Sequence, residues 1–273
     1  NKFIKMTSTR RKQVCLFGLS ADPPTGDCGH RGIVSHLAHM EEFDEVRVLP
    51  VYSHCFDAKR GKQIDFDRRI EMCQIAFGDL PNVVTSEAER DCFNRAKNAL
   101  PEEEDISTIR IGTADLLDML LAEEPNVDFT FTMASDTFTD FTDMKWRRSL
   151  DVIKLLQGRI LIILRKIGNS DADDEAKWNE VKRRMDKFNT ERVWDKNENV
   201  VVEGTNEENK TADHRGVNTY MENPVRTIQI PSLTAVSSTV IRKSDDELKV
   251  REMVHPQVVD YILEHKLYAL GGK

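Results

Sequence analysis

Short apolar runs alternate along this chain with segments whose apolar residues recur every three to four positions. The runs predict buried strands at Val14–Phe17, Val46–Leu49, Val83–Val84, Val127–Met133, Ile160–Leu164 and Thr227–Ile230. The segments between them predict helices, among them Ile33–Met40, one through Ile70 to Phe77, Ala114–Ala122 with Thr113 as its N-cap, and a last helix that begins at Pro256. This alternation predicts an α/β fold with a Rossmann-like, doubly wound parallel sheet in a three-layer α/β/α arrangement.

One segment, Gly168 to Asn223, departs from this alternation because it is charged and poor in apolar residues. It indicates an insertion at about residues 168–223 between two core strands of a single domain that spans residues 13–273. Within it we expect one amphipathic helix with Trp178, Val181, Met185 and Phe188 on its apolar face, and a strand at Val200–Val202. Gly204 to Gly216 is expected to be an exposed loop that proteases cut first.

The composition limits the class of protein. The net charge of −8 argues against a general nucleic-acid surface, and no apolar run approaches the roughly 20 residues of a membrane span. The five cysteines show no CxxC spacing, which favours ordinary thiols in a reducing compartment and predicts no protein-bound metal. The basic segment at residues 1–12 is either a solvated tail or a targeting remnant, so we expect the cytoplasm or, alternatively, an organelle matrix.

Two segments carry the candidate chemistry. Gly18 to His30 is a loop of small residues between the first strand and its helix, where free backbone N–H groups and the helix dipole favour phosphate. Val236 to Arg242 places Ser238 and Arg242 four residues apart, and therefore on one face of a helix. Together the two segments predict a clamp for a nucleotide triphosphate.

Further motifs occur in a fixed order after this loop. They are His54 with Lys59, Arg69 with Met72, Thr113 to Leu117, Asp136 followed by Trp146, Arg165, the segment Val236 to Arg242, and a terminal Tyr261-Ile262 with Leu267-Tyr268. This ordered set resembles the nicotinate/nicotinamide mononucleotide adenylyltransferases, within the nucleotidyltransferase superfamily that carries the His-Ile-Gly-His-type signature. The resemblance covers most of the chain outside the insertion.

The resemblance implies transfer of the AMP moiety of ATP to a pyridine mononucleotide, with release of pyrophosphate and with Mg²⁺ on the ATP phosphates. It implies catalytic roles for His30, Arg242 and Thr25. The implied ATP contacts are Gly18, Leu19, Ser20, Gly29, His30, Ser237, Ser238, Thr239 and Arg242. The implied mononucleotide contacts are Lys59, Arg69, Thr113, Asp136, Trp146 and Arg165. Nucleic acid and membrane partners are not expected, and a homo-oligomer is left open.

Several alternatives remain at this stage. Four residues separate Thr25 from His30 where the family usually has two, and Ala134 stands where the family has glycine. Trp146 fits either a stacking partner or a core residue, and Arg69 fits either a phosphate ligand or a surface residue. The rival functions are a related nucleotidyltransferase with a phosphopantetheine-like or cytidylyl acceptor, and a non-catalytic nucleotide-binding or assembly protein on the same fold.

Overall fold

A computed structural model describes residues 10–54, 61, 63–164, 171–191, 222–230, 233–234 and 236–272. Six strands form one sheet in which every neighbouring pair is parallel. They are β1 (Lys12–Leu19), β2 (Glu45–Pro50), β3 (Val83–Thr85), β4 (Val127–Ala134), β5 (Ile160–Leu164) and β6 (Arg226–Gln229). Their order across the sheet is β3-β2-β1-β4-β5-β6, so the chain reverses direction across the sheet between β1 and β4. The predicted doubly wound sheet is confirmed.

The helices lie between the strands and after the last one. They are α1 (His30–Ala38), α2 (Phe66–Phe77), α3 (Ala88–Asn98), α4 (Thr113–Glu123), α5 (Ser135–Thr142), α6 (Ser149–Leu156), α7 (Asp171–Glu191), α8 (Ser238–Lys243), α9 (Glu247–Met253) and α10 (Pro256–Glu264), with a 3-10 turn at Ile106–Thr108. Pro256 opens α10 as expected, because its missing N–H is not needed in a first turn. In the part of the chain that the structure describes, no helix has the length and apolar character to span a membrane.

The sheet separates two hydrophobic cores. In β1, Val14 and Leu16 belong to the core that packs against α4 and α6, whereas Cys15 and Phe17 belong to the core that packs against α1 and α2. This follows from the two-residue period of a strand, whose side chains alternate between faces. Each fully buried side chain of this size contributes about 1.5–3 kcal/mol of transfer free energy. Burial of β1 on both faces therefore fixes the strand that leads into the candidate site.

The first part of the predicted insertion is α7, which lies between β5 and β6 as expected. Val181 is buried in the core, with Trp178 and Met185 packed beside it, so the expected amphipathic helix is confirmed. Arg184 ties α7 to the end of α5 by an ion pair of 2.7 Å with Asp143. The expected strand at Val200–Val202 and the expected loop at Gly204–Gly216 lie outside the described residues.

One local expectation is corrected. Thr113 is the first residue of α4 and not its N-cap, which is Gly112. The backbone N–H of Gly112 donates to Asp115 Oδ2 at 2.8 Å, so the carboxylate and not the threonine hydroxyl caps this helix. Just before β1, two exposed arginines form surface ion pairs: Arg10 contacts Asp44 at 2.7 Å, and Arg11 contacts an aspartate of β4 at 2.9 Å. Residues 1–9 are outside the described part.

The cysteines that the structure describes are free, and Cys15, Cys73 and Cys92 among them are buried. Burial raises the pKa of the Cys15 and Cys73 thiols well above the ordinary value, because the thiolate would lose its hydration. Low thiolate content makes these side chains unreactive packing residues. Cys55 lies outside the described residues.

Candidate active site

A cavity of about 370 Å³ opens at the carboxyl ends of β1, β2 and β4. It lies where the direction of the sheet order reverses, which is the place where doubly wound sheets bind ligands. The residues that follow β1, Gly18 to Ser20, form one wall, and His30 lies beside them. Met133 and Ala134 at the end of β4 form the opposite wall. The cavity therefore contains the predicted phosphate loop at one side.

Thr25 and His30 are linked by two reciprocal hydrogen bonds. The backbone N–H of His30 donates to Thr25 Oγ1 at 2.7 Å, and the backbone N–H of Thr25 donates to His30 Nδ1 at 3.1 Å. Since Nδ1 accepts a proton donor, the proton of the neutral imidazole must lie on Nε2. The loop thus fixes the histidine as a potential N–H donor at the start of α1.

The same pair of bonds defines the role of Thr25. Its side chain is buried, and its hydroxyl satisfies an N–H at the first turn of α1. Gly29 permits this approach, because a Cβ at that position would lie 2.1 Å from Thr25 Oγ1. In this geometry the Thr25 hydroxyl positions the backbone of His30. The longer loop still brings the two residues together.

The additional residues of the loop contact the C-terminal part of the chain. The Gly26 N–H donates to Met253 O at 2.7 Å, and the Thr234 N–H donates to Cys28 O at 3.0 Å. A Cβ on Gly26 would approach the Met253 carbonyl oxygen to 3.3 Å, so only a residue without a side chain fits this contact easily. The additional residues between Thr25 and His30 therefore form a docking contact and leave the Thr25–His30 pair intact.

The second predicted segment meets the first one directly. Arg242 Nη1 donates to the carbonyl oxygen of Asp22 at 2.6 Å, and Ser238 Oγ donates to that of Pro23 at 3.0 Å. Arg242 Nη2 also donates to Thr239 Oγ1 at 3.0 Å. Ser237 is the N-cap of α8, where its hydroxyl accepts the Thr239 N–H at 3.3 Å. The structure thus joins the two halves of the predicted clamp, with the Ser238 hydroxyl and the Thr239 amide already hydrogen bonded within the protein.

Asp22 also stabilises the contact between the phosphate loop and α8. Its side chain is buried, and it accepts a hydrogen bond from the Tyr268 hydroxyl at 2.7 Å. Arg242 Nη1 lies 3.6 Å from the other carboxylate oxygen. Burial, together with the charge of Asp22, raises the pKa of Tyr268 far above its usual range, so the hydroxyl stays protonated and remains a donor. The C-terminal residues therefore hold the phosphate loop in position.

Arg69 has a different place from the one that the resemblance implies. The side chain is 2% exposed, and its guanidinium donates to the backbone carbonyls of Ser20, Val51, Tyr52 and Ile64. Four such bonds compensate the cost of burying the charge. Burial lowers the pKa of Arg69 from its ordinary value. Arg69 therefore lies behind the cavity and not in its lining, where it orders the backbone around Ser20 and Val51.

The far end of the cavity carries the other predicted acceptor residues. Trp146, Asp136 and Thr113 all line it. Trp146 is half-buried and packs edge-on against Phe131 and Phe141, with ring centroids at 6.0 Å and 5.3 Å. It is therefore both a core residue on one side and a cavity residue on the other. Asp136 lies in the first turn of α5, where its carboxylate accepts the Thr137 N–H at 3.0 Å.

Lys59 and Arg165, the remaining predicted acceptor residues, lie outside the described residues. Three further cavity residues were not singled out as site residues from the sequence: His54, Glu89 and Arg147. His54 Nε2 lies 3.1 Å from Ser20 Oγ and so contacts the phosphate loop. His54 belongs to the ordered set of motifs seen in the sequence, whereas Glu89 and Arg147 lie in charged stretches that resemble any solvated surface.

No protein-family model matches the chain. A protein of Myxococcus xanthus named probable nicotinate-nucleotide adenylyltransferase is 26% identical over 135 residues, which are 49% of this chain and 60% of that protein. The chain therefore matches less than two thirds of that relative's length.

Two solved structures share the fold across nearly the whole chain. They are Plasmodium falciparum nicotinic acid mononucleotide adenylyltransferase complexed with NaAD (TM-score 0.56, 20% identity) and the same enzyme complexed with APC (TM-score 0.55, 19% identity). Each comparison covers 95% of this chain and 98% of the other. The expected fold is thereby confirmed. The chain is similar in sequence to one nicotinate-nucleotide adenylyltransferase and has the fold of another.

Proposed function

We propose that this chain is an adenylyltransferase that acts on nicotinate or nicotinamide mononucleotide. A phosphate oxygen of the mononucleotide attacks the α-phosphorus of ATP, the bond from that phosphorus to the bridging oxygen breaks, and pyrophosphate leaves. The product is a pyridine dinucleotide. The attacking phosphate is already an anion at neutral pH, so the reaction needs alignment and charge stabilisation more than a general base.

One observation carries this proposal. The reciprocal Thr25–His30 hydrogen bonds hold a histidine with its proton on Nε2 at the edge of a cavity that lies at the switch point of the sheet. A fixed N–H donor of this kind stabilises the charge that develops on phosphate oxygens during transfer, and it costs no reorganisation when the reaction occurs. His30 is accordingly the proposed catalytic donor to the α-phosphate.

Arg242 and the start of α8 are proposed to receive the leaving pyrophosphate. The side chain of Arg242 is one-third exposed and already lies against the phosphate loop, so a small rotation brings its forked donors to a phosphate group. Ser237, Ser238 and Thr239 lie on the same side of the loop. Gly18, Leu19, Ser20 and Gly29 contribute backbone to the binding of ATP.

The acceptor is proposed to bind at the Trp146 end of the cavity. An aromatic face with an apolar lining suits a pyridine ring, since offset stacking adds about 0.5–1.5 kcal/mol beyond burial. Asp136, at the end of β4, has the acceptor chemistry that a ribose hydroxyl needs. Thr113 and the first turn of α4 complete this end.

Mg²⁺ is proposed to enter with ATP. Among the described residues, no group of three or more His, Cys, Asp or Glu side chains is arranged to hold a metal ion. Mg²⁺ bound with nucleotides is usually held by phosphate oxygens and water, so this proposal requires no protein ligand cluster. In that position it would neutralise charge on the phosphates, while the residues of the chain align them.

The direct test is product analysis after incubation with ATP, Mg²⁺ and each mononucleotide in turn. We expect a dinucleotide and an equal amount of pyrophosphate. His30→Ala and Arg242→Ala should each lower kcat by roughly 10²-fold, the scale expected for loss of a donor to developing charge. His39→Ala, at the other end of α1, and Arg251→Ala, on the surface of α9, are the matched controls and should retain activity.

The outcomes separate the rival functions. Turnover of CTP, or of a phosphopantetheine-like phosphate, in place of a pyridine mononucleotide would assign the chain to a related nucleotidyltransferase. ATP binding without turnover of any acceptor would favour the non-catalytic alternative. Equal kcat in the His30 and Arg242 variants and in their controls would remove the proposed catalytic roles.

A further inference from the structure

Glu89 is a cavity residue for which the proposed reaction has no use. It lies in the first turn of α3, directly after β3, and lines the same cavity as Trp146 and Thr113. The residue is half-buried, and the backbone N–H of Tyr52 favours its ionised carboxyl and so lowers its pKa. A carboxyl that faces a binding cavity acts on whatever charge the ligand brings there.

The charged groups around Glu89 have opposite effects on its pKa. Arg69, from α2, favours the ionised carboxyl, and Asp115, from α4, disfavours it. Burial has the largest effect and raises the pKa of Glu89 to about 7. The nearby cations are committed elsewhere: Arg69 donates to backbone carbonyls, and Arg147 donates to the Arg110 carbonyl oxygen and lies 3.8 Å from Asp115 Oδ2.

Other titratable groups line the cavity besides Glu89. His30 and His54 face it from the phosphate-loop side, and Asp136 and Asp140 face it from α5. A protonated histidine favours an anionic ligand at low pH, in the same sense as a protonated Glu89. The contribution of Glu89 must therefore be isolated by substitution.

We propose that Glu89 selects the acceptor by the charge of its ring substituent, favouring an uncharged amide over a carboxylate when Glu89 is ionised. This inference rests on the proposed function. Nicotinate and nicotinamide mononucleotides have nearly the same shape and the same phosphate, so any repulsion of the phosphate cancels in their ratio. The remaining difference is one negative charge on the ring.

The size of the effect follows from the separation of the two charges. Glu89 lines the same cavity as Trp146 and Thr113, so two unit charges about 10 Å apart serve as the reference case. At the effective dielectric constant of about 20 that applies near protein surfaces, such a pair changes an equilibrium by roughly tenfold or more. The preference for nicotinamide over nicotinate should thus grow roughly tenfold as Glu89 ionises.

The test compares kcat/KM for the two mononucleotides between pH 5.5 and 8.5. The ratio of nicotinate to nicotinamide should fall roughly tenfold in the natural protein as pH rises. Glu89→Gln preserves an acceptor for the Tyr52 N–H, and it should flatten that profile and raise the ratio at pH 8.5. Glu87→Gln is the matched control, because Glu87 lies two residues earlier, pairs with Arg90 and does not line the cavity.

A binding measurement decides the matter if Glu89→Gln turns over poorly. Calorimetry is done at pH 7.5 with a non-hydrolysable ATP analogue present, in buffers of different ionisation enthalpy. It counts the protons that the protein takes up when each mononucleotide binds. Binding of the nicotinate mononucleotide should be accompanied by more proton uptake than binding of the nicotinamide mononucleotide, and Glu89→Gln should abolish the difference. An unchanged difference in proton uptake, or an unchanged pH profile in Glu89→Gln, overturns the inference, whereas absence of turnover with both acceptors in the natural protein overturns the proposed function.

Discussion

Replacement of Thr25 by valine tests how the loop holds His30. Valine has nearly the shape of threonine but lacks the hydroxyl that accepts the His30 N–H at 2.7 Å. Thr25 is 2% exposed, so water cannot replace the lost acceptor. An unsatisfied buried N–H costs about 1–3 kcal/mol. We therefore expect a loss of about 1–2 kcal/mol in the free energy of unfolding.

For a domain of this size such a loss lowers the melting temperature by about 3–6 °C. Thr25→Ser is the control, because it keeps the hydroxyl and removes one methyl group, at a cost of about 0.8 kcal/mol. The two variants should differ most in kcat, since only Thr25→Val releases the first turn of α1 and with it the ring of His30. Thermal unfolding and initial-rate kinetics measure both effects. If valine and serine variants showed the same kcat, the hydroxyl would have no part in positioning His30.

Two further substitutions probe the same loop. Gly29→Ala places a Cβ 2.1 Å from Thr25 Oγ1, so it should break the Thr25–His30 hydrogen bond and lower both kcat and the melting temperature. Gly18→Ala is the control, because the nearest atom to its Cβ lies 3.6 Å away, and it should leave the melting temperature unchanged. Equal changes in melting temperature for the two variants would contradict this account. Tyr268→Phe removes the 2.7 Å donor to the buried Asp22 carboxylate and should cost about 1–3 kcal/mol in urea unfolding, with a weaker affinity for ATP. Unchanged unfolding would mean that Asp22 is satisfied without the tyrosine.

The sheet was predictable from the sequence because its central strands are buried on both faces. Such strands appear as continuous apolar runs, and Ile160–Leu164 matches β5 without any shift of its bounds. The helices α3 and α5 were not predicted. In α3 only the small residues Ala88 and Cys92 are buried and most other residues are charged or polar, so its apolar signal is weak, and α5 is rich in threonine and aspartate, which are poor helix formers. Tertiary packing, not local propensity, sets these two elements.

Site residues divide in the same way. His30 was predictable because its position after a small-residue loop is a local signal. Arg69 was not, since its role depends on carbonyls from Ser20 and Val51 that only the folded chain brings to it. Glu89 carries no local signal, because an acidic residue in a first helical turn is ordinary on any surface. Local patterns therefore identified the phosphate loop, and three-dimensional contacts were needed for the wall of the cavity.

The junction of the two predicted phosphate segments adds a reason for their pairing that neither segment contains alone. Pro23 and Pro24 have no backbone N–H, so this part of the loop offers phosphate no donors, while its carbonyl oxygens would repel it. Arg242 and Ser238 remove this repulsion, because they donate hydrogen bonds to the carbonyl oxygens of Asp22 and Pro23. These hydrogen bonds join residues that are more than two hundred positions apart in the sequence, and they reduce the negative potential of the carbonyl oxygens. The arginine that is proposed to bind pyrophosphate thus also makes the loop electrostatically favourable for it, together with Ser238, whose one hydroxyl proton is used on the Pro23 carbonyl.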